Sequence, residues 1–160
     1  MNNKPSLTIK LIISILLCIG LGSIGGIATA SSIDTWYATV NKPSFNPPNW
    51  IFAPVWTTLF TLMGIAAALV WHEGIDKKMV KKALIFFGVQ FVLNMIWSWL
   101  FFGMQNPKLA FFEIIILWIF IFLTIRAFFG IKNTSGWLLV PYILWVSFAA
   151  FLNFSIWQLN

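Results

Sequence analysis

Three sets of residues in this 160-residue chain stand at spacings that could build a site for a flat, mostly apolar ligand. Gln90, Asn94, Trp97 and Phe101 follow i, i+4, i+7, i+11 and so share one helix face, with Ser98 beside them. Tyr142, Trp145, Ala149 and Leu152 follow i, i+3, i+7, i+10, with Asn153 adjacent, and Trp56, Phe60 and Met63 behave alike. Polar side chains in hydrocarbon are costly unless satisfied, so these faces are expected to turn inward. Two readings of them stand open. In one, Trp56, Phe60, Trp97 and Trp145 are the stacking walls of a pocket, with Tyr37, Asn94 and Asn153 as its hydrogen-bonding groups. In the other, the amides are glue between helices and the rings fill a core.

The segment between the first two apolar stretches favours the pocket. Residues 42–56 read Lys-Pro-Ser-Phe-Asn-Pro-Pro-Asn-Trp-Ile-Phe-Ala-Pro-Val-Trp, with four prolines and two tryptophans. Proline fixes φ, removes a donor and biases the preceding residue toward extended backbone. Such a segment holds one shape, so little entropy remains to be lost when it closes over a ligand. It is expected to form a preformed lid.

Other chemistries find little support. His72 has no second His or Met at helical spacing, which argues against a bis-ligated haem. Cys18 is the single cysteine, inside an apolar run, and reads as packing. No nucleophile–His–acid set and no Gly-rich phosphate loop can be assembled, so hydrolases, kinases and metalloenzymes are disfavoured, and no metal site and no cofactor are expected. Glu113 is the one carboxylate inside an apolar stretch and is a functional candidate on that ground alone. Its place near a span end favours an interfacial or Lys108-paired role. Arg126 is expected to snorkel.

Composition dictates what must position these residues. The chain is 60% hydrophobic and only 9% charged, against about 25% charged in soluble domains. Five windows are long enough to cross a bilayer, at residues 7–30, 51–71, 83–102, 109–129 and 137–157. They are apolar throughout, without the alternation of barrel strands. The expected fold is an all-α integral membrane protein, a bundle of five transmembrane helices, with residues 1–160 as a single domain and 31–50 as the lid loop. Short later connections place sequential helices side by side and antiparallel. Trp71, Trp137 and Trp157 fall where indoles anchor at the headgroups, whereas Trp36 and Trp50 flank the lid. Gly22 and Gly26 lie in the small-xxx-small register of packed helices.

The net charge of +6 is a topology signal rather than a nucleic-acid footprint. With five spans, Lys4, Lys10, Lys77, Lys78, Lys81, Lys82, Arg126 and Lys132 share one side, and only Lys42 and Lys108 the other. The positive-inside rule then puts the N-terminus in the cytoplasm and the C-terminus outside. Contact of the basic side with anionic membrane lipid is expected. The first apolar run exceeds the length of a signal-peptide core, so it is expected to be retained as a span despite Ala28-Thr29-Ala30.

Trp36-Tyr37, the run from Lys42 to Trp56, Leu93-Asn94 with Trp97-Ser98, Phe101-Phe102-Gly103, Pro141-Tyr142 with Trp145 and Phe148-Ala149, and Leu152-Asn153 resemble the TspO/translocator protein family over nearly the whole chain. This family is also called tryptophan-rich sensory proteins or peripheral-type benzodiazepine receptors. The resemblance to a bacterial member implies a homodimer in the cell membrane whose pocket binds porphyrins, notably protoporphyrin IX, and isoquinoline carboxamide drugs. Carried over by position, the pocket would include Tyr37, Pro47, Trp56, Phe60, Asn94, Trp97, Trp145 and Ala149. It also implies, for some members, light-dependent degradation of protoporphyrin IX, with Trp56 and Trp145 as the catalytic positions. An excited tetrapyrrole beside an oxidisable indole needs neither a metal nor an acid–base pair. Transport of tetrapyrroles or other small hydrophobic molecules is the alternative. The cholesterol motif of animal relatives is degenerate, because Phe154 stands at its tyrosine and no Lys or Arg follows.

Overall fold

The computed structural model describes residues 5–160; Lys4 lies outside the described residues. The first span, α1 (Leu7–Ile33), starts where the Ser6 hydroxyl accepts from the Ile9 amide at 3.4 Å. A single turn, α2 (Trp36–Thr39), follows, and a 3₁₀ turn (Asn49–Ile51) leads into α3 (Phe52–His72). Gly74, at φ +113°, closes α3 in a conformation that only glycine adopts freely. α4 (Lys78–Ser98) continues into a wider π turn, Trp99–Gly103. α5 (Pro107–Phe129) opens with Asn106 capping the Leu109 amide at 3.0 Å and proline in its first turn. α6 (Asn133–Leu138) and α7 (Val140–Leu159) together make the last span.

Among the described residues five helices are therefore long and apolar enough to cross a membrane, and the chain is a multi-pass helical membrane protein. Every span begins earlier or ends later than composition indicates. Lys78, Lys81 and Lys82 extend α4 because a lysine stem can lie along a helix while its head stays wet.

Around the bundle the order is α1, α3, α6–α7, α5, α4 and back to α1. The expectation that each helix lies beside the next thus fails at α3 and α4, which touch only lightly. The five-residue turn between them can span about 17 Å when extended, enough to reach a non-adjacent position.

α1 and α3 come closest. A Cβ on Gly64 would sit 2.6 Å from the Ile15 backbone, and one on Gly22 would sit 2.4 Å from the Phe60 ring. Gly26 meets nothing within 4 Å, so the expected Gly22–Gly26 register is corrected. The inward face is instead Ser14, Cys18, Gly22, Gly25, Ala28 and Ser32. Its spacing of three and four residues keeps one stripe inward, and Gly26 falls off it.

Candidate functional site

The connection between α1 and α3 crosses one end of the bundle and is held there by three sets of contacts. Inside it, the Tyr37 hydroxyl donates to Asn46 Oδ1 at 2.6 Å, and Lys42 Nζ donates to the Tyr37 and Val40 carbonyls. At the end of α7, the Asn41 amide donates to Asn160 Oδ1 and Asn160 Nδ2 donates back to the Asn41 carbonyl, both at 3.0 Å. Between them, Phe45 stacks on Phe151 at 5.1 Å and meets Phe148 edge-on at 6.4 Å. Burial pushes the Tyr37 phenol up to about 12.

Beneath this connection, α3 and α7 are joined mainly through α6 and elsewhere are bridged by rings. Phe52 meets Trp145 edge-on at 6.2 Å, and Trp56 meets Tyr142 edge-on at 6.4 Å. Two cavities result. The first, about 40 Å³, is walled by Tyr37, Trp56, Trp97, Trp145, Ala149 and neighbouring phenylalanines. The second, about 380 Å³, lies between α1, α3 and α4 and reaches Phe60, Asn94 and Ser98. Phe52, Trp56 and Thr29 line both, so Trp56 and Phe52 form a shared wall.

The candidate residues thus divide between two spaces rather than ringing one. Tyr37, Trp97, Trp145 and Ala149 face the first, Phe60 and Asn94 the second, and Trp56 both. Pro47 lines neither of these cavities; its carbonyl accepts from Asn46 Nδ2 at 3.0 Å, so it shapes the connection.

The amides also tie helices together. Asn94 Nδ2 donates to the Tyr142 hydroxyl at 3.2 Å. The Trp97 indole donates to Asn153 Oδ1 at 3.1 Å, and Asn153 Nδ2 donates to the Pro107 carbonyl at 2.7 Å. Asn94 and Asn153 thus act as glue between helices, and each also borders a cavity.

Residues that the sequence patterns passed over include Phe52 and Phe148, one turn from Trp56 and Trp145, which extending each stripe would have found. Thr29 had no such signal. Phe101 and Phe102 are both buried on the π turn, where the Met104 amide reaches back to the Trp99 carbonyl at 2.7 Å. Trp50 and Trp137 are 73% and 66% exposed and take no part in these walls. Glu113 corrects expectation: it is buried and forms no ion pair with Lys108, whose Nζ sits over the Trp157 ring at 5.8 Å. It lies far enough along α5 for neighbouring helices to enclose it.

Comparison with known proteins gives concordant results. The family model described as TspO/MBR matches residues 14–158. The chain is 47% identical over 158 residues to the tryptophan-rich protein TspO of Chlorobaculum tepidum, covering 99% of each chain. It is 45% identical over 152 residues to the protein of that name from Archaeoglobus fulgidus, covering 95% of this chain and 97% of the other. To the human translocator protein it is 35% identical over 127 residues, covering 78% of this chain and 75% of that one.

Proposed function

The chain belongs to the TspO/MBR family, and on that premise we propose that it is a receptor-like protein of the bacterial cell membrane that binds a flat, largely apolar small molecule. Porphyrins, with protoporphyrin IX first, and isoquinoline carboxamides are the ligand classes. In this reading residues 1–160 act as one membrane domain, and the 31–50 connection is its lid. The observation that carries the reading is the aromatic wall of Trp56 and Phe52 beside Trp145, lying under a connection held to α7 through Asn41 and Phe45.

The first cavity, at about 40 Å³, is far below the roughly 300–1,000 Å³ of ordinary ligand sites. The second, at about 380 Å³, lies within that range. A tetrapyrrole therefore needs the lid to lift or the Trp56 wall to swing so that the two spaces merge. Ring faces of Trp97 and Trp145 then stack on the ligand, and Asn94, Tyr37 and Asn153 meet its polar edge. Light-dependent turnover belongs to the same reading, with dioxygen as the oxidant of the excited ligand and Trp56 and Trp145 as the oxidisable indoles beside it.

Spectra of protoporphyrin IX with the purified protein, in the dark and under illumination, test both parts. Binding is expected to shift and sharpen the dark spectrum, and an unshifted spectrum removes the ligand assignment. Illumination is expected to bleach the bound species in wild type, with the rate reduced in Trp56→Phe and Trp145→Phe at unchanged dark affinity. A rate equal to wild type in both variants would rule out the indoles as reactive partners.

A further inference from the structure

α1 changes partner halfway along its length. In its first half it packs on α3: a Cβ on Gly64 would lie 2.6 Å from the Ile15 backbone, and Lys10 Nζ donates to the Trp71 carbonyl at 3.5 Å. In its second half it leans on α4 and the π turn. A Cβ on Gly25 would meet the Ser98 hydroxyl at 3.5 Å, and the buried Ser32 hydroxyl donates to the Phe102 carbonyl at 2.8 Å. α3 does not follow, because Phe52 and Trp56 meet Trp145 and Tyr142 of α7. The two helices therefore part beyond the contact of Gly22 with Phe60, and the larger cavity is the cleft between them.

The cleft has the depth of one leaflet. At its inner end stand Ile19 and Phe60, near the midpoints of the spans Leu7–Ile33 and Asn49–His72, and at its outer end Ile33 and Asn49, toward the lid. It thus covers about 21 Å of α1 and about 16 Å of α3, against about 15 Å of hydrocarbon in one leaflet. Its mouth faces outward: Ser23, Gly26 and Ala30 on α1 and Ala53 and Thr57 on α3 line it and are exposed. Phe60 and Asn94, at its back, are 8% and 4% exposed. α1 and α3 are neighbours around the bundle, so an opening between them gives onto the bilayer.

Water fills such a cleft poorly. The Ser23 and Thr57 hydroxyls donate to their own helices, to the Ile19 carbonyl at 2.7 Å and the Ala53 carbonyl at 2.9 Å, and Gly26, Ala30 and Ala53 bring no polar side chain. An internal water needs two to four polar partners. An empty cleft forfeits the dispersion contacts of its walls. A neighbouring helix, about 10 Å across, cannot enter between helices that still touch at Gly22 and Phe60. A single hydrocarbon chain can, and the surrounding bilayer offers one along the whole mouth.

We propose that the cleft between α1 and α3 binds one acyl chain of a phospholipid from the lid-side leaflet. The headgroup stays outside at the level of Asn49, and the end of the chain lies against Phe60 and Asn94. Trp50, next to Asn49 and 73% exposed, marks that level, where indoles favour the headgroups. The site stands whether or not the cavity also takes a tetrapyrrole, and any ligand entering this space must displace the chain.

Photolabelling tests it with the full chain in phosphatidylcholine vesicles whose lipid carries a diazirine at the end of one acyl chain. After irradiation, label located by mass spectrometry is expected on Phe60 or Asn94, which lipid around the outside of the bundle does not reach. Gly26→Leu fills the mouth and is expected to abolish that label. Gly20→Leu is expected to keep it, because a Cβ there also meets nothing within 4 Å but the position lies outside the cleft. If Gly26→Leu does not fold, Ala53→Leu on the facing wall takes its place. Label confined to outward residues such as Leu16 and Ile27 overturns the proposal, as does label on Phe60 and Asn94 that filling the mouth leaves unchanged. Label deposited there by a free fatty acid with the same diazirine, but not by the phospholipid, overturns the choice of occupant. A Gly26→Cys disulfide between two copies, with no label in the cleft, makes the mouth an interface between copies and overturns it as well.

Discussion

Trp56 lies against Phe60 at 5.4 Å on one side and against Tyr142 on the other, with a cavity on each side of its indole. Trp56→Ala is expected to join the cavities and to lower stability by about 3–5 kcal/mol, the usual range for truncating a large packed ring. Thermal unfolding in detergent measures the loss, and a variant as stable as wild type would show that the indole is not packed there. Tyr37 acts on the lid. Its bond to Asn46 contributes about 0.5–1.5 kcal/mol, so Tyr37→Phe is expected to speed ligand dissociation roughly 2- to 12-fold. The phenol is raised from 10.0 to about 12, so the folded form holds its proton more tightly than the unfolded chain does. The stabilisation is whole below pH 10 and lost as pH rises toward 12. Dissociation from wild type is expected to accelerate only in that window, while Tyr37→Phe stays flat. Equal profiles for the two proteins would remove Tyr37 from lid control.

The helix pair α1–α3 fixes the second cavity through two glycines with different neighbours. At Gly64 a methyl group would meet Ile15 backbone, which cannot swing aside, so Gly64→Ala is expected to push the helices apart at about 1–3 kcal/mol. At Gly22 it would meet the Phe60 ring, which can rotate into the cavity. Gly22→Ala is therefore expected to weaken ligand binding more than it lowers the unfolding temperature, and Gly26→Ala, whose Cβ would meet no atom within 4 Å, to leave the unfolding temperature unchanged. The same loss of stability in all three would mean that the α1–α3 approach is looser than described. The connection between these helices has its own fastening. Asn160→Ala removes the paired bonds to Asn41, and Phe45→Ala removes the stack on Phe151. Either change is expected to raise the rate of proteolytic cleavage within residues 41–48 and the rate of ligand entry, with the helices intact by circular dichroism. Unchanged cleavage in both would mean that the connection is held from within, by Lys42, Tyr37 and Asn46.

For the whole molecule, five spans and their inward faces could be read directly, because a helix in hydrocarbon must be long, apolar and turned so that Gln90, Asn94 and Asn153 meet partners. The order of the helices could not. Periodicity says which face is buried but not against which helix, and the 73–77 turn is long enough to allow α4 to stand beside α1 and α5. The division of the candidate residues into two cavities was equally hidden, since it depends on how far α3 and α7 splay and on the rotamer of Trp56. Among the described residues, by contrast, the basic side chains fall at the two ends of the bundle as their positions in the sequence indicate. Lys10 reaches the Trp71 carbonyl at 3.5 Å and Lys132 pairs with Glu73 at 3.3 Å, so the basic residues gather at one end, with Lys77, Lys78, Lys81 and Lys82. Lys42 and Lys108 are at the other, with the lid and the C-terminus. Positive charge near span ends resists translocation, so the basic end is expected to face the cytoplasm and the lid to open outward. An alkaline phosphatase fusion after Asn160 is expected to be active, and the same fusion ahead of the first span inactive. Replacing Lys77, Lys78, Lys81 and Lys82 with glutamine leaves Lys10, Arg126 and Lys132 against Lys42 and Lys108 among the described residues, and is expected to yield both orientations. An inactive C-terminal fusion in the wild-type chain would reverse the direction from which ligand reaches Trp56.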